Sequence, residues 1–72
     1  MAAIDAEMKV AEVLRRCPET LEVFLGRGCP DMRKGFFHLM ARIMSVRNAA
    51  RMHRLDLASL LADLNRVAGR GT

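Results

Sequence analysis

Cys29 is the residue whose type and surroundings point most directly to chemistry. It lies in FLGRGCPDMRKGFF, residues 24–37, with a glycine before it and a proline after it. If a helix starts here, its unpaired N–H groups and dipole favour a thiolate, and Arg27 and Arg33 add positive charge. Asp31 opposes that effect. Free cysteine is also among the most buried residue types, so a thiol packed between two helix ends is the competing interpretation. The packing role is the favoured interpretation, and Cys29 is the candidate redox thiol as the alternative to it.

A soft metal is the second chemistry that this segment could serve. Cys29 and Met32 place two sulfur atoms three residues apart, and two chains could complete a site across a dimer axis. Structural zinc needs about four ligands at close spacing, whereas the two cysteines and two histidines are scattered along the chain. Met32 also continues an apolar helical stripe. We therefore expect no cofactor, and we expect no enzymatic activity because no catalytic triad or phosphate-binding loop can be identified.

Positive charge is concentrated in the middle of the chain. Residues 27–54 contain seven basic residues and one acidic residue, whereas the whole chain has a net charge of +4. Such a surface can bind anions, nucleic acid or an acidic protein, or can simply be solvated. Nucleic acid is the least expected partner because the chain has no Tyr or Trp to stack on bases. The candidate anion-binding side chains are Lys34, His38, Arg42, Arg47 and Arg51.

Length and composition predict one small domain spanning residues 1–72. A chain of 72 residues buries only about 60% of the surface that its unfolded state exposes, so self-association is expected. Two cysteines without a recognisable secretion signal are expected to be free thiols in a cytoplasmic protein, and we expect no disulfide between Cys17 and Cys29. No apolar run is long enough to cross a bilayer, so no membrane partner is expected.

Apolar residues recur at helical spacing, and no apolar–polar alternation is sustained, which predicts an all-α bundle of four or five short helices. The first helix is expected over residues 8–17, the second from Pro18 to a Gly28 with positive φ, and the third from Pro30. Ser45 and Asp56 are expected to cap the last two helices. Residues 69–72 are expected to form a frayed end.

The third segment carries the widest apolar face. Met32, Phe36, Leu39 and Ile43 lie on one helical stripe, and neighbouring residues broaden it. Methionine-rich surfaces adapt to a binding partner because the side chain is flexible and polarizable. We expect this face to pack against a second copy of the chain, as a homodimer, or against another protein. The candidate interface residues are Phe36, Phe37, Met40 and Met44.

Several short motifs occur in a recognisable order along the chain. They are VAEVL at 10–14, PE at 18–19, VF at 23–24, GC at 28–29, AA at 49–50, His53, Asp56, LL at 60–61 and LN at 64–65. From about residue 4 to residue 67, this set resembles the family called domain of unknown function 1858, also labelled the hybrid-cluster-protein-associated redox disulfide domain. It is also similar to the N-terminal domain of iron–sulfur repair proteins.

The resemblance implies a small helical bundle that works alone or beside redox and iron-handling partner proteins. Many members carry C-x-x-C after the glycine. Met32 replaces the second cysteine here, which removes the resolving thiol that a dithiol switch needs. Arg54 stands where a glycine is common, so a non-glycine residue is expected to adopt a positive φ. We predict a non-catalytic accessory module, with thiol redox or metal handling through Cys29, and weak anion binding by the basic middle, as alternatives.

Overall fold

The computed structural model describes residues 3–29 and 35–70, and these ranges form five α-helices. Within the described residues there is no β-strand, so the predicted all-α architecture is confirmed. The helices are α1 Val10–Arg16, α2 Thr20–Gly26, α3 Gly35–Ile43, α4 Val46–Met52 and α5 Leu57–Arg70.

All five helices contribute side chains to the hydrophobic core, and α3 contributes only Ala41. Helix α1 packs against α3, and both α2 and α4 pack against α5. Phe24 is the largest side chain with no exposed surface, and Leu60 and Leu64 of α5 are equally buried. Full burial of such side chains is the main favourable term in a domain of this size. The remaining core includes Ile4, Val10, Val13, Cys29, Ala41, Val46, Ala49 and Ala50.

The segment before α1 is bonded to the junction between α3 and α4. The Val10 amide donates to the Met44 carbonyl at 2.9 Å, and the Val46 amide donates to the Met8 carbonyl at 2.9 Å. These two bonds form an isolated antiparallel bridge. The bridge gives partners to backbone groups that would otherwise be unpaired at two helix starts.

Asn65 fastens Ile4 to α5. Its Oδ1 accepts from the Ile4 amide at 2.8 Å, and its Nδ2 donates to the Ile4 carbonyl at 2.9 Å. The same Nδ2 also donates to the Leu61 carbonyl at 2.9 Å. One side-chain amide thus serves both backbone groups of a residue that is only 7% exposed.

The helix-capping side chains and the glycine after α2 adopt the predicted roles. The Ser45 hydroxyl accepts from the Asn48 amide at 3.2 Å, and an Asp56 carboxylate oxygen accepts from the Ser59 amide at 3.0 Å. Gly28 has φ +90° after α2. The predicted caps and the predicted positive-φ glycine are confirmed.

Several helix boundaries differ from the predicted ones. Helix α1 spans Val10–Arg16 rather than residues 8–17, because Lys9 has extended backbone and pairs with Ser45. Helix α2 begins at Thr20 rather than Pro18, because the buried Thr20 hydroxyl and amide both donate to the Cys17 carbonyl and form a turn first. Helix α5 continues to Arg70, since a single glycine such as Gly69 weakens a helix by about 1 kcal/mol without ending it. The predicted helix start at Pro30 lies outside the described residues.

Arg54 adopts φ +55°, so the predicted positive φ at a non-glycine position is confirmed. We expect Arg54→Gly to raise the free energy of unfolding by about 0.5–1 kcal/mol, because glycine removes the Cβ penalty of this backbone region but loses more conformational entropy on folding. Urea unfolding followed by circular dichroism measures the change. Arg51→Gly, inside α4, is the matched control and should lose about 1 kcal/mol. A lower unfolding midpoint for Arg54→Gly would contradict the assignment of strain to this residue.

Candidate functional site

Helix α3 presents an apolar stripe to solvent. Phe36, Leu39 and Ile43 are 67%, 59% and 68% exposed, and their i, i+3, i+7 spacing places them on one side of the helix. Within α3, Ala41 alone is buried, on the side that contacts the core. The helix therefore packs through a small residue and leaves its largest apolar side chains uncovered.

An apolar cleft continues this stripe towards α4. A pocket of about 170 Å³ is lined by Phe36, Phe37, Met40, Met44 and Met52, among others. A shallower depression of about 450 Å³ shares the three methionines and extends to Ile43. The rings of Phe36 and Phe37 meet edge to face, with centroids 6.1 Å apart. We call the exposed stripe and this cleft the apolar face, and its residues are Phe36, Phe37, Leu39, Met40, Ile43, Met44 and Met52.

All four predicted interface residues belong to the apolar face. Phe36, Phe37, Met40 and Met44 line the same cleft. Met52 was not predicted, because it comes from α4 and lies off the inner stripe that Val46, Ala49 and Ala50 form there. The contribution of Met52 to the apolar face depends on how α4 packs beside α3. The spacing of residues within either helix does not determine that arrangement.

The candidate basic residues do not form one surface. His38 and Arg42 lie on the flank of α3 that faces α1, whereas Arg51 lies at the edge of the apolar face. Arg47 donates from Nε to a Glu7 carboxylate oxygen at 2.8 Å. Lys34 lies outside the described residues. The chain turns at Ser45 between α3 and α4, so the basic side chains of these two helices point in different directions.

Cys29 is buried in the core, with 6% of its surface exposed. Its amide donates to the Phe24 carbonyl at 3.0 Å, which holds the residue against the end of α2. Burial raises the pKa of the Cys29 thiol, because a thiolate loses hydration in the core. The direction is opposite to the one that a thiolate at a helix start would show, so the packing role is the one that this geometry favours. Met32, its proposed partner in a metal site, lies outside the described residues.

Cys17 is also buried, and both thiols are free, as predicted. The Cys17 thiol donates to a Glu19 carboxylate oxygen at 3.1 Å. Burial, together with this hydrogen bond and the negative charge of Glu19, raises the pKa of Cys17. Neither cysteine therefore has an environment that activates a thiolate.

We expect Cys29 to react slowly with iodoacetamide in the folded protein. In a Cys17→Ala background, alkylation at neutral pH should be at least about tenfold slower than in denaturant, because reagent reaches the sulfur only during local opening. The rate should show no inflection below the ordinary thiol pKa of about 8.5. Mass spectrometry across a pH series measures both quantities. A rate that levels off near neutral pH would show instead that Cys29 is an activated thiolate.

Metal binding and membrane insertion have little support in the described part of the chain. Among residues 3–29 and 35–70, no three His, Cys, Asp or Glu side chains come together as metal ligands. None of the helices in these ranges is both long enough and apolar enough to cross a membrane.

The motif residues of the sequence lie mainly in the core and at helix ends. Val10, Val13, Phe24, Cys29, Ala49 and Leu60 are buried, and Asp56 caps α5. The order of motifs therefore encodes the packing of this bundle rather than a set of reactive groups.

Comparison with known proteins identifies a family. No curated protein and no solved structure matches the chain. The family model with the description Domain of unknown function (DUF1858) matches residues 4–61, from the segment bonded to Asn65 to the first turns of α5. This match covers most of the 72 residues, including helices α1 to α4 and the start of α5, and the chain belongs to the DUF1858 family.

Proposed function

We propose that this protein is a non-enzymatic interaction module that forms a homodimer through the apolar face. The observation that carries the proposal is the exposure of Phe36, Leu39 and Ile43 on one side of α3. Large apolar side chains are rarely left together in water without a binding role.

The extent of the apolar face supports an interface between proteins. Its exposed fractions correspond to roughly 500 Å² of apolar side-chain surface, since a large aromatic side chain presents about 200 Å². That value lies near the upper end for the largest patch on a monomer. A standard interface buries about 800 Å² on each partner, so this face and its polar rim are of the right size.

A second copy of the chain is the partner that best fits this face. Two-fold symmetry needs a self-complementary patch, and an apolar stripe along one helix can pack against its own symmetry mate. His38 and Arg42 lie on the flank facing α1, so such a dimer does not bring their like charges together across its centre. A domain with so small a core also gains stability from the additional burial.

We propose further that the module works in the cytoplasm beside a redox or iron-handling protein, as the resemblance of its motifs implies. A role without catalysis is supported by the apolar cleft, because His53 is the single titratable side chain among the described residues that line it. Thiol chemistry through Cys29 is a weaker alternative, because burial opposes both access and thiolate formation.

Sedimentation equilibrium tests self-association directly. From about 1 µM to about 500 µM, we expect the apparent mass to rise towards twice the 8.1 kDa of the chain. A mass that stays at that of one chain across this range would overturn the dimer. Retention of the mass of two chains in the presence of 1 M salt is the expected control result, since apolar burial is not screened.

A further inference from the structure

A second surface lies between α1 and α3, and none of the described residues that line it belongs to the apolar face. Lys9, which precedes α1, Arg15 of α1, and His38 and Arg42 of α3 line a shallow depression of about 500 Å³. Four basic side chains from two parts of the chain therefore meet at one place. Lys9 and Arg15 lie outside the charge-rich middle of the sequence, so this grouping depends on the packing of α1 against α3.

The charges of this basic depression are largely uncompensated. Glu12 is the single carboxylate in its lining, and its Oε2 is paired with Arg16 at 3.0 Å. Within residues 3–29 and 35–70, no carboxylate forms an ion pair with Arg15 or Arg42. Lys9 donates from Nζ to the Ile43 carbonyl at 3.2 Å, which holds its ammonium group at the end of α3.

The spacing of these basic residues fits a ligand with several separate negative charges. Lys9 and Arg15 are six residues apart, and a helical rise over that span separates their backbones by about 9 Å. His38 and Arg42 are one turn apart, about 6 Å along α3. A single phosphate would need donors that converge on one point, whereas carboxylates at i and i+4 of a helix repeat at about 6 Å. Each arginine can also bind a carboxylate with two parallel hydrogen bonds.

We propose that the basic depression binds an acidic helical segment of a partner protein. Glu12 would repel a continuous phosphate backbone, while a peptide can place an uncharged residue opposite it. The described phenylalanines do not line the depression, so no ring is available there to stack on a nucleic-acid base. The site lies outside the apolar face, so acidic-segment binding and dimer formation are separate properties.

Fluorescence anisotropy of a synthetic helix tests the proposal. The probe is an alanine-rich peptide with glutamate at every fourth position and an uncharged dye, and the reference peptide has glutamine at those positions. Arg15→Gln/Arg42→Gln is the test variant. Arg47→Gln/Arg66→Gln is the matched control, because it removes the same charge from side chains outside the depression.

The acidic peptide should bind the wild-type chain and weaken steeply with added salt, and the glutamine peptide should not bind. The test variant should lose at least about tenfold in affinity, and the control variant less than about threefold. Equal losses in both variants would show attraction to net charge alone and overturn the proposal. Equal binding of both peptides, or tighter binding of a duplex DNA than of the acidic peptide, would also overturn it. Sedimentation of each variant in parallel reports dimer formation separately.

Discussion

Leu39→Asp is expected to convert the dimer into a monomer, raising the dissociation constant at least about 100-fold. Leu39 lies in the middle of the exposed stripe and is 59% exposed in the isolated chain. The substitution therefore leaves the fold of one chain nearly unchanged. In the dimer it places a carboxylate among apolar side chains without a partner charge, and its desolvation costs several kcal/mol.

The control for this change is Ala62→Asp, an equivalent added charge on the exposed side of α5. This variant should keep the wild-type association constant, measured by sedimentation equilibrium. Circular dichroism of both variants should show the same helix content. A Leu39→Asp protein that still dimerises like the wild type would place the interface elsewhere on the surface.

Phe24→Ala is expected to lower the free energy of unfolding by about 3–5 kcal/mol. The Phe24 side chain has no exposed surface and packs at the centre of the core. Stability of about 0.05–0.15 kcal/mol per residue gives a chain of 72 residues about 4–11 kcal/mol in total. The substitution therefore removes a large part of that stability, and a marginal chain would unfold at room temperature.

Phe37→Ala makes the same chemical change on a side chain that is 45% exposed, and it is the matched control. Urea unfolding at a concentration where the chain is monomeric should give a loss below about 1.5 kcal/mol for this variant, because less surface is buried there. Equal losses for the two phenylalanines would mean that the core is not centred on Phe24.

The sequence predicts the helices well because local chemistry decides where they begin and end. Ser45 and Asp56 each cap a helix because a side-chain oxygen reaches an unpaired amide in its first turn. Gly28 follows the end of α2 because glycine tolerates a positive φ. The start of α2 was predicted two residues early. A turn through the Thr20 hydroxyl competes there with the preference of proline for a first helical position.

The orientation of α3 could not be predicted, because its apolar arc is wide and any part of it could face the core. The structure selects Ala41, whose small side chain allows α3 to lie close to α1. That choice exposes Phe36 and Leu39. It also brings Arg42 towards α1, whereas Arg51 is on a helix that packs against α5.

Sequence reasoning left two roles open for Cys29, a packed thiol and a reactive one, for a related reason. The local pattern of glycine, cysteine and proline indicates a helix junction, and such a junction can be exposed to solvent or buried. The Cys29 amide bonds to the Phe24 carbonyl, which draws the residue into the core beside the most buried ring. Burial is a property of the assembled bundle, so the reactivity of a thiol cannot be obtained from its neighbours in sequence.

The bond between Asn65 and Ile4 has a consequence for synthesis on the ribosome. The two residues are 61 positions apart, so the segment before α1 finds its partner only after more than half of α5 has been translated. Contacts that close so long a loop form late, and the fold cannot be completed from the amino end forwards. A nascent chain without α5 lacks Leu60 and Leu64 of the core and leaves the sides of α2 and α4 that pack against α5 uncovered. Because transiently exposed apolar surface of this kind promotes aggregation, we expect the emerging chain to depend on chaperones until α5 has been made.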